Sequence, residues 1–171
     1  MLQLSGTMLN RDVLSLRTGS PIAQITASII NPDNLKIEGF YCTEFDTKQQ
    51  MVLLYQDIRD ILPQGVVVND LDALSEPEEL IRLKKILEMD FELLGKPVVT
   101  ISNEKIGKVS DYAFETATLY IQKVYASQSL LKSLTVGSLS IDRNQIQEIT
   151  PKKVIIQDLL QGTPAGAAAT A

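Results

Sequence analysis

Along the chain, apolar positions recur mostly with a period of two. Leu35 and Ile37 alternate with Lys36 and Glu38, and Leu119 and Ile121 alternate with Tyr120 and Gln122. That spacing belongs to strands with one face buried. Short runs rich in Val, Ile, Leu and Tyr, bounded by Gly, Pro, Asn and Asp, predict strands at 13–16, 22–30, 35–41, 51–55 and 66–69. The same signal returns at 98–101, 106–114, 119–126, 138–141 and 154–157. Asn31-Pro32-Asp33-Asn34 predicts a hairpin turn, because proline presets φ while Asn and Asp tolerate left-handed backbone. Glu115-Thr116-Ala117-Thr118 stands at the matching place with weaker turn chemistry.

The period changes once. Ser75-Glu76-Pro77-Glu78 has the form of a capping box, and Glu76, Glu78 and Glu79 suit the positive end of a helix dipole. Leu80, Leu83, Leu87 and Phe91 then follow at helical spacing, with Arg82, Lys84 and Lys85 mostly off the stripe. This predicts one amphipathic helix over 75–92, packed on its neighbours and fixing their orientation.

The two sets of strands are related. Leu9–Leu16 aligns with Leu94–Ile101 at an offset of 85 residues. Pro21–Ile25 aligns with Lys105–Val109, and Asn34–Tyr41 with Thr118–Tyr125, at an offset of 84. Ile58–Asp70 aligns with Ile146–Asp158 at 88, where Ile61, Pro63, Val66 and Asp70 face Ile149, Pro151, Val154 and Asp158. Identities are few, but the matches keep their order with only turn-sized gaps, which reads as an internal duplication. Five short strands per copy predict a small barrel, since closure removes exposed edges. The expected organisation is a first barrel (1–74), the linker helix (75–92), a second barrel (93–160) and a disordered, small-residue tail (161–171). The lead-in Leu2–Thr7 fits a strand beside either copy.

Composition narrows the chemistry. The 171 residues contain no histidine, no tryptophan and one cysteine, and carry a formal net charge of −5. Without histidine there is no Ser-His-Asp or Cys-His triad, and a lone cysteine makes no intrachain disulfide. The acidic balance argues against nonspecific binding to nucleic acid or anionic membrane through global charge. Met51–Tyr55 is about the longest apolar run, far below the ~20 residues that span a bilayer. With no secretory signal at its start, the chain is expected to be soluble and cytoplasmic.

Leu94-Gly95-Lys96-Pro97-Val98, Ile106-Gly107-Lys108-Val109, Asp111 and Leu119-Tyr120-Ile121 resemble the PRC-barrel family, as does the closing Ile141-Asp142, Ile146, Ile149-Thr150-Pro151 and Val154-Ile155-Ile156. The resemblance covers about 9–74 and 93–160; Asn10 and Ala23 stand in the first copy where the second has Gly95 and Gly107, which predicts altered turns there. PRC barrels occur in the photosynthetic reaction-centre H subunit and in a ribosome-maturation factor. The resemblance implies a mainly β protein of two such barrels. It also implies a non-catalytic adaptor or assembly module that docks on a larger protein complex, and it supplies no catalytic residue, cofactor or metal.

Other readings rest on residues alone. Lys105, Lys108, Tyr120, Lys123, Lys152 and Lys153 form a candidate partner-binding set, the alternative being contact with RNA or the ribosome. Lys132, Tyr112 and Tyr125 extend it. Asn69-Asp70-Leu71-Asp72 with Glu76, Glu78 and Glu79 offers oxygen ligands for a cation, and a small-molecule or metal-binding regulator is the third reading; the bland one is a solvated loop. Asp57 with Asp60, and Asp142 with Glu148, are the carboxylate pairs spaced for acid–base work, without a phosphate cradle or nucleophile elbow beside them. Cys42 reads as a small buried apolar residue.

Overall fold

The structure is a computed structural model and describes residues 1–128 and 138–159. The expected tail at 161–171 and Lys132 lie outside the described residues. The chain begins with β1 (Leu2–Leu4), a 3-10 turn (Ser5–Thr7), β2 (Asp12–Ser15), β3 (Pro21–Asn31), β4 (Lys36–Glu44) and β5 (Gln50–Leu54). A 3-10 turn (Tyr55–Asp57) leads to β6 (Ile58–Leu62) and β7 (Gly65–Val68), and another (Leu71–Ala73) to β8 (Leu74–Ser75). The linker holds two more 3-10 turns (Pro77–Glu79 and Ile81–Leu83) and the short helix α1 (Lys84–Met89). Then come β9 (Pro97–Thr100), β10 (Lys105–Glu115), β11 (Ile121–Ser127), β12 (Ser138–Asp142), a 3-10 turn (Arg143–Gln145), β13 (Ile146–Ile149) and β14 (Val154–Ile156).

The protein is mainly β, with two sheets. One runs β6-β7-β2-β3-β4-β5-β8, the other β12-β11-β10-β9-β14-β13 with β1 added against β10. Their common order follows the sequence offsets. Val13, Leu14 and Ser15 run parallel to Val66, Val67 and Val68, and Val98, Val99 and Thr100 run parallel to Val154, Ile155 and Ile156. The predicted strand at 66–69 and its counterpart therefore insert beside the first strand of each set, so each sheet holds a parallel rung inside an otherwise antiparallel ladder.

Neither ladder closes among the described residues: β6 and β8 end one path, β12 and β13 the other. Each is nevertheless curled. From Leu54 to Ile58 the chain steps from one end of six consecutive strands to the other through a single 3-10 turn. Four residues reach at most about 14 Å, whereas six strands laid flat put their outer members about 24 Å apart. The turn Arg143–Gln145 makes the same step in the second sheet.

The turns repeat as well. Leu35 and Leu119 both adopt left-handed backbone, with φ of 56° and 59°. Each closes its hairpin by donating from its amide, to Asn31 O at 2.9 Å and to Glu115 O at 2.8 Å. The weaker turn chemistry at 115–118 thus gives the same turn. The expected alteration at Asn10 does not occur either. Asn10 takes φ 62° where Gly95 takes 82°, and their amides donate to Ile25 O and Val109 O at 2.9 and 2.8 Å. Asparagine is one of the few side chains that enters this region readily. Gly107 has its own reason: a Cβ there would stand 1.9 Å from the Ser127 carbonyl oxygen.

The linker departs from the single helix expected at 75–92. Ser75 belongs to β8 and pairs with Val52 on the edge of β5, and the turn that follows it starts after Glu76. The turn at Pro77–Glu79 has no side-chain cap, and Leu80, at φ −89° and ψ 73°, ends it. Only six residues form α1. The leucine stripe survives in part, since Leu80, Leu83, Leu87 and Phe91 are each half-buried.

Buried residues form one continuous cluster through both sheets, from Phe40, Ile25 and Leu53 to Phe114, Ile121 and Ile156. Each lead-in reaches across to the other half. β1, which precedes the first sheet, pairs with β10 of the second, and α1, which precedes the second, packs on β3 of the first. Met8 and Leu93, the equivalent residues that follow these lead-ins, are 0% and 1% exposed.

Candidate functional site

The densest polar arrangement lies where the two long hairpins meet. Lys36 and Tyr120 form an isolated antiparallel bridge. Around it Ile37 N donates to Leu119 O, and Ile121 N to Leu35 O, both at 2.8 Å. The bonds are reciprocal, and they use the carbonyls of the two left-handed leucines. A left-handed, non-glycine residue costs roughly 1–2 kcal/mol, and here each contributes a hydrogen bond that joins the sheets.

Side chains reinforce the bridge. The Arg143 guanidinium donates to Ile121 O at 2.9 Å and also to Asn34 O, and its carbon lies 5.2 Å from the centre of the Tyr120 ring. Lys36 Nζ lies 3.6 Å from the centre of the Tyr55 ring and 5.5 Å from that of Tyr120. The four groups form a row: Tyr55, Lys36, Tyr120, Arg143. Lys36 and Tyr120 are equivalent at the offset of 84, and Tyr55 and Arg143 at 88. Each half therefore contributes one cation and one ring, with the roles exchanged.

The structure divides the candidate partner-binding set. Tyr120 belongs to this junction. Lys123, on β11, is 3.6 Å from Asp142 in an exposed ion pair, an arrangement worth about 0–1 kcal/mol. Lys105, Lys108, Lys152 and Lys153 lie at the far end of the second sheet. There Lys108 faces Pro97 across the β10–β9 ladder, and Lys153 precedes Val154, which pairs with Val98. Lys96, which the sequence pattern did not single out, joins them and donates to Pro151 O at 2.6 Å. Beside Lys105 and Lys108 opens a cavity of about 820 Å³, walled by Pro97, Val99, Gly107 and Ser127. Tyr112 is buried, and burial raises its phenol above the ordinary value. Tyr125 is half-buried on β11.

The acidic stretch has a different role at its head. Asp70 accepts from Ser15 Oγ at 3.0 Å and pairs with Arg17. Its carboxyl is held below the usual range chiefly by the Leu71 amide, with help from Ser15 and Arg17, against an opposing effect of desolvation. Asp158 repeats this in the second sheet. It accepts from the Ser102 amide at 3.1 Å and from Ser102 Oγ at 2.5 Å, and these bonds lower its pKa. Both aspartates tie the end of the parallel rung to the following turn. Among the described residues no group of three or more His, Cys, Asp or Glu is arranged to hold a metal ion.

The remaining candidates are dispersed. Asp57 ends a 3-10 turn, while Asp60 lies on β6 and accepts from the Ile61 amide at 2.8 Å. Asp142 and Gln145 cap the turn Arg143–Gln145, and Glu148 is exposed on β13. Cys42 lies on β4 with no exposed surface, and burial pushes its thiol up to about 12. No helix among the described residues is long and apolar enough to cross a membrane.

Sequence reasoning missed Lys36, Tyr55 and Arg143. Half of the signal was present in the alignment, which sets Lys36 against Tyr120; Tyr55 and Arg143 stand three residues before the aligned stretches that begin at Ile58 and Ile146.

With the geometry in view, comparison adds no identity: no family model matches the chain, and no curated protein matches it.

Proposed function

We propose that the chain is a tandem PRC-barrel-type protein arisen by duplication, and that it serves as an adaptor docking on a larger protein assembly with no reaction of its own. The matching offsets, turns and parallel rungs support the duplication, and the curled ladders support barrel-like halves. The observation that carries the docking reading is β1. Among the described residues it pairs with β10 on one side only, and Leu2 and Leu4 are 47% and 42% exposed. The Thr116 amide donates to Met1 O, so in this antiparallel register Met1 and Gln3 face β10 and the backbone of Leu2 faces outward. A free edge with exposed apolar side chains is what an extended partner segment adds to.

The lysines at the far end of the second sheet support the second reading, contact with RNA or the ribosome. Affinity purification from the native host with and without RNase separates the two. The adaptor reading expects one stoichiometric protein partner, insensitive to RNase and lost from a Leu2→Lys/Leu4→Lys variant. Recovery of ribosomal proteins that disappears with RNase, and that the double variant leaves intact, would overturn it in favour of RNA. In that case Lys108→Glu/Lys153→Glu abolishes the recovery instead.

A further inference from the structure

The repeat extends further upstream than the strands that first reveal it. At the offset of 85, Leu2-Gln3-Leu4-Ser5 stands against Leu87-Glu88-Met89-Asp90, each an apolar–polar–apolar–polar run three residues before the buried Met8 or Leu93. The first run is a strand and the second ends a helix. The strand's acceptor also has an equivalent. β1 lies on 113–115 of β10, in the register Leu2↔Glu115, Gln3↔Phe114, Leu4↔Ala113. The matching stretch, 29–31 of β3, pairs with β4 on one side and, among the described residues, with no strand on the other.

We propose that residues 29–31 of β3 are a strand-acceptor site whose occupant is this chain's own 87–89, so that the last turn of α1 exchanges helix for an antiparallel strand. The register is fixed by the repeat: Leu87 opposite Asn31, Glu88 opposite Ile30, Met89 opposite Ile29. The segment is already beside its target. A cavity of about 370 Å³ is lined both by Ala27, Ile29 and Ile30 of β3 and by Ile86, Leu87 and Phe91. The helix has little holding it, with six residues, no side-chain cap and no fully buried residue. Helices shorter than about 12 residues are marginal by themselves.

One difference explains why the two lead-ins diverge. β1 is anchored where Ser5 Oγ and the Gly6 amide both donate to Asp111. Ala27 stands at the place of Asp111 in the first sheet and offers no acceptor. The strand form of 87–89 therefore lacks its anchor, and the helix competes.

Disulfide trapping in a Cys42→Ala background tests this. Leu87→Cys with Asn31→Cys forms a non-hydrogen-bonded antiparallel pair, whose close Cα atoms suit a disulfide. Met89→Cys with Asn31→Cys is two residues out of register. The proposal expects the first pair to cross-link in a glutathione buffer about tenfold faster than the second, a ratio set by the population of the paired state. Restoring the anchor with Ala27→Asp/Asp90→Ser raises that ratio further and slows hydrogen exchange at Ile30. Equal rates for the two pairs, or no cross-link from either while circular dichroism shows an intact fold, would overturn the proposal. Should the anchored variant fail to fold, the two cysteine pairs alone decide.

Discussion

The two parallel rungs, β2 beside β7 and β9 beside β14, have the same register and almost the same side chains, yet their ends are tied differently. The first uses Asp70 with Ser15 and a charged partner, Arg17; the second uses Asp158 with Ser102 and neutral donors. What the two have in common is an aspartate, 88 residues apart in the sequence, that closes the turn. What differs is how its charge is met. The acidic stretch after Asp70 therefore looks like a cation site in sequence while its first carboxylate is a turn clamp in the fold.

The largest effects are expected in the shared core. Phe40 on β4 and Phe114 on β10 are both 0% exposed in the common cluster. Either one changed to alanine should cost about 3–5 kcal/mol. Because the core is continuous, each change should shift one shared unfolding transition. Two separated transitions in calorimetry, only one of them moved, would show that the halves melt independently. Cys42 provides a second readout. With its thiol buried and raised to about 12, it should react with a thiol reagent only on global opening, and Phe114→Ala in the other half should speed that reaction as Phe40→Ala does.

A smaller effect sharpens the comparison at the junction. Arg143→Ala removes charge-assisted bonds to the carbonyls of Asn34 and Ile121, and should cost about 2 kcal/mol. Arg143→Lys should recover only part, because an ammonium lacks the planar fork. Tyr55→Leu, at the equivalent position, loses one partly exposed cation–π contact and should cost about 0.5–1 kcal/mol. Chemical denaturation of the three variants gives the ranking, and a Tyr55→Leu loss equal to that of Arg143→Ala would contradict it.

The smallest effect is on acid stability. Asp70 and Asp158 both titrate below the ordinary carboxylate range in the folded protein. The unfolded chain therefore binds more protons in that window, and the contribution is complete above about pH 4 and is lost as pH falls through the folded values. Asp70→Asn and Asp158→Asn should each flatten the fall of stability on acidification and leave its slope near neutrality unchanged. A steeper acid limb in either variant would reverse the assignment.

The sequence made much of this legible, for physical reasons. Strands with one buried face show alternation, so the pieces around Leu35–Ile37 and Leu119–Ile121 were visible, as were Val66–Val68 and Val154–Ile156 as short apolar runs. Strands at sheet ends show it poorly. β6 and β13 contain no fully buried residue, and the exposed Arg59, Asp60, Gln147 and Glu148 hide the pattern. The linker misled because Ser75 satisfies a local capping pattern while a tertiary contact, the edge of β5, takes its backbone. β1 was ambiguous because which half receives it depends on Asp111, distant in sequence. Of the candidate site, the lysines were legible as charges but not as neighbours; Tyr120 and Lys123 are placed apart from the others by the hairpin between β10 and β11.

The reciprocal backbone bridge at Lys36 and Tyr120 should join the two sheets into one cooperative body. Native-state hydrogen exchange at the Ile37 and Ile121 amides tests it most directly, since each donates to the carbonyl of the other half's left-handed leucine. Both amides are expected to exchange only through global unfolding, with the same free energy and the same dependence on denaturant. Exchange at either amide through a local opening, at a free energy well below that of Phe40 or Phe114, would contradict it.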